Sequence, residues 1–251
     1  IIGKIIDTTG VGLYTRAKSL AVLPTASLYN IFETVTYPAY AKIQDAYEKI
    51  REGFIKSLDL LFFLAAPFIL LFLEFGHRII LIFLGEKWIG ISALLKILLL
   101  AVTINTLVVL SGPIFNALGK PKIQFYISVV NIITLVSLFL LLAPRYGTIG
   151  IAIAVLINSV IIFLISFYKL KKILDIRIAK IIKPLVIPLI SSLLMTGAGK
   201  FIFAPFENMG NAAFIALMLC LEIFYLALIA LFGKLLKTGP YATLKLILAE
   251  L

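Results

Sequence analysis

The chain has 251 residues, of which 62% are apolar and 14% charged, and its mean hydropathy is +1.14. A soluble domain carries about 45–50% apolar and about 25% charged residues, so this chain has too little polar surface to cover itself in water and too apolar a composition for disorder. Its net charge of +11, from 23 Lys and Arg against 12 Asp and Glu, is scattered between long uncharged runs instead of gathered on one basic face. That pattern argues for membrane orientation and against a nucleic-acid partner. A single cysteine, Cys220, and a single histidine, His77, exclude an internal disulfide and a His/Cys metal cluster, and no cofactor is expected.

A bilayer core about 30 Å thick needs about 20 predominantly apolar residues per helix. Runs of that kind fall at 19–41, 55–74, 91–115, 123–143, 147–168, 181–204 and 210–233, the first being the most polar. Their separators, among them Gly119-Lys120-Pro121, Pro144-Arg145-Tyr146-Gly147 and Gly239-Pro240, carry turn chemistry. The runs are apolar on every face, which excludes the alternating pattern of a membrane barrel strand. The expected fold is an all-α polytopic membrane protein with a bundle of about seven transmembrane helices.

Two linkers stand out. KIQDAYEKIREGFIK, from Lys42 to Lys56, pairs Asp45 with Lys49, Glu48 with Arg51 and Glu52 with Lys56 at helical spacing, and is expected to be a charged helix leading into the second span. The run IILIFL, between His77-Arg78 and Gly85-Glu86-Lys87-Trp88, is too short to span and is expected to lie in the interface, with Trp88 as its aromatic anchor.

Alternating the seven spans places fifteen Lys and Arg on the side that includes Lys49 and Lys171, against seven on the other: Lys4, Arg16, Lys18, Arg78, Lys87, Arg145 and Lys200. The richer side is assigned to the cytoplasm. An odd span count puts the two ends on opposite sides. With no leader and no Met before Ile1, residues 1–9 are expected to be the end of a preceding span and the chain to be the later portion of a longer protein.

Polar groups placed against their transfer cost mark the candidate sites. In the first span Tyr29, Glu33, Tyr37 and Tyr40 fall near one helical face with Asn30 beside them, and Pro24 and Pro38 each remove a backbone donor and are expected to kink or break the helix. Glu33 is too deep to reach water and is expected either to line a cavity or to pair with Lys96 as structural glue, while Lys96 is placed to line the cavity or to snorkel. At the mouth of this span Arg16 and Lys18, with Lys4 nearby, form a cationic cluster on the charge-poor side, suited to phosphate or to headgroup contact. Gln124, Ser128, Asn131 and Thr134 along one face, with Asn105 and Asn158 elsewhere, fit helix-to-helix hydrogen bonds. Glu222 has Cys220 and Tyr225 for company and no cation in view.

Five short strings add a further reading: GLYTRAKSLA from Gly12 to Ala21 continuing to Leu23-Pro24, YPAYAKIQD from Tyr37 to Asp45, LGEKW from Leu84 to Trp88, ALGKPK from Ala117 to Lys122, and YGTIGIAIA from Tyr146 to Ala154. Their order and spacing resemble the polysaccharide transporter family, the Wzx-type flippases of the multidrug/oligosaccharidyl-lipid/polysaccharide superfamily. The resemblance covers residues 10–172; Tyr40-Ala41-Lys42 departs from the family's frequent Phe-Ser-Lys. It implies a two-lobe protein of which residues 10–172 supply the second lobe, with residues 173–251 adding two further helices (181–204 and 210–233) and a cytoplasmic tail.

The resemblance also implies a function. Such a protein moves polyisoprenyl-pyrophosphate-linked oligosaccharide across the cell membrane by alternating access, making and breaking no bond. Its partners would be that lipid-linked substrate, membrane lipids and other polysaccharide assembly proteins. The rival readings are a drug/cation antiporter of the same superfamily, with Glu33 or Asp59 as coupling carboxylate, and a membrane-embedded polysaccharide polymerase or ligase, which the short outer linkers disfavour. A non-transporting scaffold is disfavoured by the polar face of the first span.

Overall fold

A computed structural model of the chain describes residues 8–203 and 210–236. Among these residues every regular element is helical: α1 (Thr8–Lys42), α2 (Tyr47–Phe83), a 3-10 turn (Glu86–Ile91), α3 (Ser92–Val109), α4 (Ser111–Ala117), α5 (Pro121–Leu174), α6 (Ile178–Phe203) and α7 (Asn211–Leu236). Five stretches are long and apolar enough to cross a membrane: Tyr47–Phe83, Glu86–Ala117, Pro121–Leu174, Ala179–Phe203 and Asn211–Lys234. This is a multi-pass membrane protein, because helices satisfy their own backbone donors and acceptors where no water can.

These five stretches hold six of the seven expected spans, since α5 contains two. Gly147 sits inside it at φ 56° and ψ −135°, a conformation that only glycine adopts without strain, and the chain reverses there. Residues 121–146 and 148–174 fold back on one another, so that Asn158 reaches Asn131 across 27 residues. Gly150 makes the close approach possible: a Cβ at that position would stand 2.3 Å from the Leu142 carbonyl oxygen. The remaining expected span, 19–41, lies in α1, whose backbone stays helical through Pro24 and Pro38 instead of breaking.

Two other boundaries differ from expectation. The IILIFL run is not a separate interfacial segment but forms the last turns of α2, which continues unbroken to Phe83. The span expected over 91–115 is divided at Leu110, because Pro113 has no N–H to give the Val109 carbonyl four residues earlier. Gly119, at φ 66°, and Pro121, in the first turn of α5, make the next turn as the sequence suggests.

The chain forms two compact units. The first runs up to Arg51 and resumes from Gly76 to Ile176, and the second comprises Glu52–Phe75 and the chain from Arg177 onward. In the first, α3 packs along α5 and α1, and α4 packs on α1 and α5. Ala17 and Ala21 on α1, and Leu94, Leu95, Leu98 and Leu99 on α3, are buried there. In the second, α6 packs along α7, and Phe75, Phe203 and Phe214 meet edge to face, with centroids 5.7–6.0 Å apart. Lys200 on α6 pairs with Glu74 on α2 at 2.9 Å within this unit.

Candidate functional site

The buried stripe of α1 runs through Tyr14, Ala17, Leu20 and Ala21, positions three and four apart that face the packed helices. Arg16 and Lys18 fall between them and are exposed. Thr15 and Ser19 on this open face are occupied locally, their hydroxyls donating to the carbonyls of Val11 at 2.8 Å and Thr15 at 2.9 Å. The cations are thus the groups of this turn left to face a ligand.

What stands opposite Arg16 is set by the end of α2. Gly85, at φ 86°, turns the chain away from the helix, and the Trp88 N–H donates to the Gly85 carbonyl at 3.1 Å, closing the 3-10 turn. That turn presents Lys87 and Trp88. The Arg16 guanidinium carbon lies 5.5 Å from the centre of the Trp88 ring, and the Lys87 ammonium lies 5.6 Å from it. Each such contact is worth about 0.5–1 kcal/mol at an exposed site. Two like charges drawn to one indole repel each other, and an anion close to them offsets that repulsion. Arg offers paired donors to a phosphate and Lys a point charge.

Of the other expected site residues, Lys18 is exposed on α1 but, two positions from Arg16, points about 200° round the helix from it. Lys96 is exposed on α3, pointing away from the buried leucines beside it. Asn30, Glu33 and Tyr37 lie in the helical backbone of α1, but their side chains are outside the described residues, as is the Glu33–Lys96 pairing; Lys4 lies outside them altogether. The expected helix-to-helix bonding is present: Asn158 donates to the Asn131 side chain at 2.6 Å, and the Thr134 hydroxyl donates to Asn158. Among the described residues no three His, Cys, Asp or Glu side chains come together to hold a metal ion.

Sequence reasoning singles out Arg16 and Lys18 but does not bring Lys87 to Arg16, and it takes Trp88 only for an interfacial anchor. The available hint was that both segments, around Arg16 and around Trp88, belong to the same set of five strings and carry cations on the charge-poor side.

Comparison with known proteins adds three observations. A family model described as "Polysaccharide biosynthesis protein" matches residues 1–93, which include both halves of the Arg16–Trp88 site. The chain is 28% identical over 196 residues to an uncharacterized membrane protein in the cps region of Klebsiella pneumoniae, covering 78% of this chain and 40% of that protein. It is 26% identical over 172 residues to the lipopolysaccharide biosynthesis protein WzxC of Escherichia coli, covering 68% and 35%. The chain therefore spans 35–40% of the length of these relatives. Among solved structures, the lipid II flippase MurJ in an inward closed conformation superposes with a TM-score of 0.72 over 92% of this chain and 49% of its own, at 18% identity, a likeness of fold.

Proposed function

We propose that the chain is a Wzx-type polysaccharide transporter, as its likeness to polysaccharide biosynthesis proteins supports, and that it supplies part of a flippase that carries a lipid-linked oligosaccharide across the cytoplasmic membrane by alternating access. A sugar-diphosphate headgroup cannot cross hydrocarbon unaided, since moving its charges out of water without partners costs many kcal/mol. A protein that offers cations to the diphosphate, while the lipid tail stays in the bilayer, substitutes for water along the way. The work is binding and release; no bond is made or broken, so the protein is not an enzyme.

The observation that carries this reading is the gathering of Arg16 and Lys87 on Trp88, which brings two cations to one ring from segments 71 residues or more apart. Lys18 and Lys4 add positive charge nearby in sequence. Within the same proposal the cluster sits at the outer mouth of α1, where a headgroup leaves, and the first unit contributes to the second lobe.

The test is export. The whole protein, expressed in a host lacking its own flippase, should restore surface polysaccharide. The Arg16→Ala/Lys87→Ala variant should insert at normal levels and lose at least tenfold in export. Normal export by that variant would reduce the cluster to headgroup contact.

A further inference from the structure

In an α-helix each carbonyl accepts from the N–H four residues on. The Phe63 carbonyl of α2 has Pro67 at that position, and proline has no N–H to give. The missing donor comes from another helix. Tyr225 of α7, 1% exposed, donates its hydroxyl to the Phe63 carbonyl oxygen at 2.7 Å, and its ring stacks on Phe63 with centroids 6.0 Å apart. A backbone acceptor orphaned by a proline is thus satisfied by a side chain 162 positions away, inside one compact unit.

A second acceptor waits for the same proton. Glu222 precedes Tyr225 by three positions on α7, the spacing at which side chains of one helix are neighbours. Its Oε1 is buried and receives no hydrogen bond among the described residues. Asp59 of α2, 4% exposed, and Ser192 of α6, fully buried, belong to the same compact unit. The Tyr225 hydroxyl thus has a carbonyl without its helical amide as its partner and, one helical turn away, a carboxylate oxygen without a donor among the described residues. Where water is scarce, leaving either unmet is costly.

We propose that Tyr225 is a latch on a hinge in α2 at Pro67. With the hydroxyl on Phe63, α2 is held in the continuous form seen here. With the hydroxyl turned to Glu222, the Phe63 carbonyl loses its donor and the helix opens at the proline. The two arrangements exchange one hydrogen bond for another, so both are populated and a modest bias moves the balance.

The test needs no transport assay. In the whole protein, with Cys220 replaced by Ser, spin labels at the exposed positions 56 and 83 flank the hinge on α2. The distance distribution should hold two components in the parent. Pro67→Ala and Glu222→Leu should each collapse it to the longer one, and Tyr225→Phe should shift it to the shorter. Thermal unfolding supplies the second readout: Tyr225→Phe should lower the melting temperature of the parent but not that of the Pro67→Ala variant, in which position 67 regains the N–H that the carbonyl needs. Should Tyr225→Phe alone fail to accumulate, Pro67→Ala should restore it. A single distance component in the parent, an equal loss of melting temperature with and without Pro67→Ala, or failure of the double variant to fold would each overturn the latch.

Discussion

Arg16 and Trp88 meet across two helices, the guanidinium carbon 5.5 Å from the indole centre, and this contact joins the first turns of α1 to the turn that follows α2. It makes Trp88 the reporter of the candidate site, because it is the chain's one tryptophan. Adding a polyisoprenyl diphosphate in detergent should change the emission assigned to Trp88, taken as the difference between the protein and its Trp88→Phe variant. Arg16→Ala/Lys87→Ala should weaken the apparent affinity at least tenfold, and an unlinked polyisoprenol should leave the emission unchanged. An equal response to the alcohol would assign the signal to the lipid tail.

Gly150 carries a sharper structural expectation. A methyl group there would stand 2.3 Å from the Leu142 carbonyl oxygen, a backbone atom that cannot rotate away. Gly150→Ala should therefore separate the two halves of α5 and cost about 3 kcal/mol or more. Gly12→Ala, inside α1 with open space around it, should instead stabilise by about 0.5–1 kcal/mol. Thermal unfolding in detergent distinguishes them, and equal melting temperatures would contradict the close approach.

The hydrogen bonds between the same two half-helices should be worth less. Asn158 joins Asn131 at 2.6 Å and accepts from Thr134, and polar pairs between membrane helices contribute roughly 1 kcal/mol each. Asn158→Leu should lower stability by about 1–2 kcal/mol. Asn131→Leu in the Asn158→Leu background should then cost little more, since its partner has already gone. Full additivity in this double-mutant cycle would show that the two side chains do not act together.

Topology is predicted from charge. Cysteine at position 49 or 171 should react with an impermeant thiol reagent only in opened cells, and cysteine at 87 or 200 should react in intact cells. Two contacts join residues that the span count places at one membrane face: Arg16 with Trp88 in the first unit, and Lys200 with Glu74 in the second. Labelling of position 171 from outside would reverse the orientation while leaving those contacts intact.

Residue by residue, what could be read from the chain depended on whether the physics was local. Apolar length alone determined the helical membrane class, because no other single-chain element of that composition satisfies its backbone in hydrocarbon. The turns at Gly119 and Gly147 were legible because positive φ belongs to glycine, and Asn131 and Asn158 because amides in apolar helices seek each other. The IILIFL run was misplaced, since its charged flanks resembled ends whereas the helix continues through them.

Only tertiary structure decided which distant groups meet. Nothing in the spacing of Arg16, Lys87 and Trp88 announces that two cations share one ring, because their approach depends on how α1 and the Gly85 turn pack against α3. Pro67 announces an orphaned carbonyl at Phe63, yet the donor that answers it is Tyr225, supplied by a helix the chain reaches 162 positions later. Hydropathy is a sum over neighbours in sequence and fixes the elements. A site is a matter of neighbours in space, and their positions are set by side-chain packing that a periodicity does not encode.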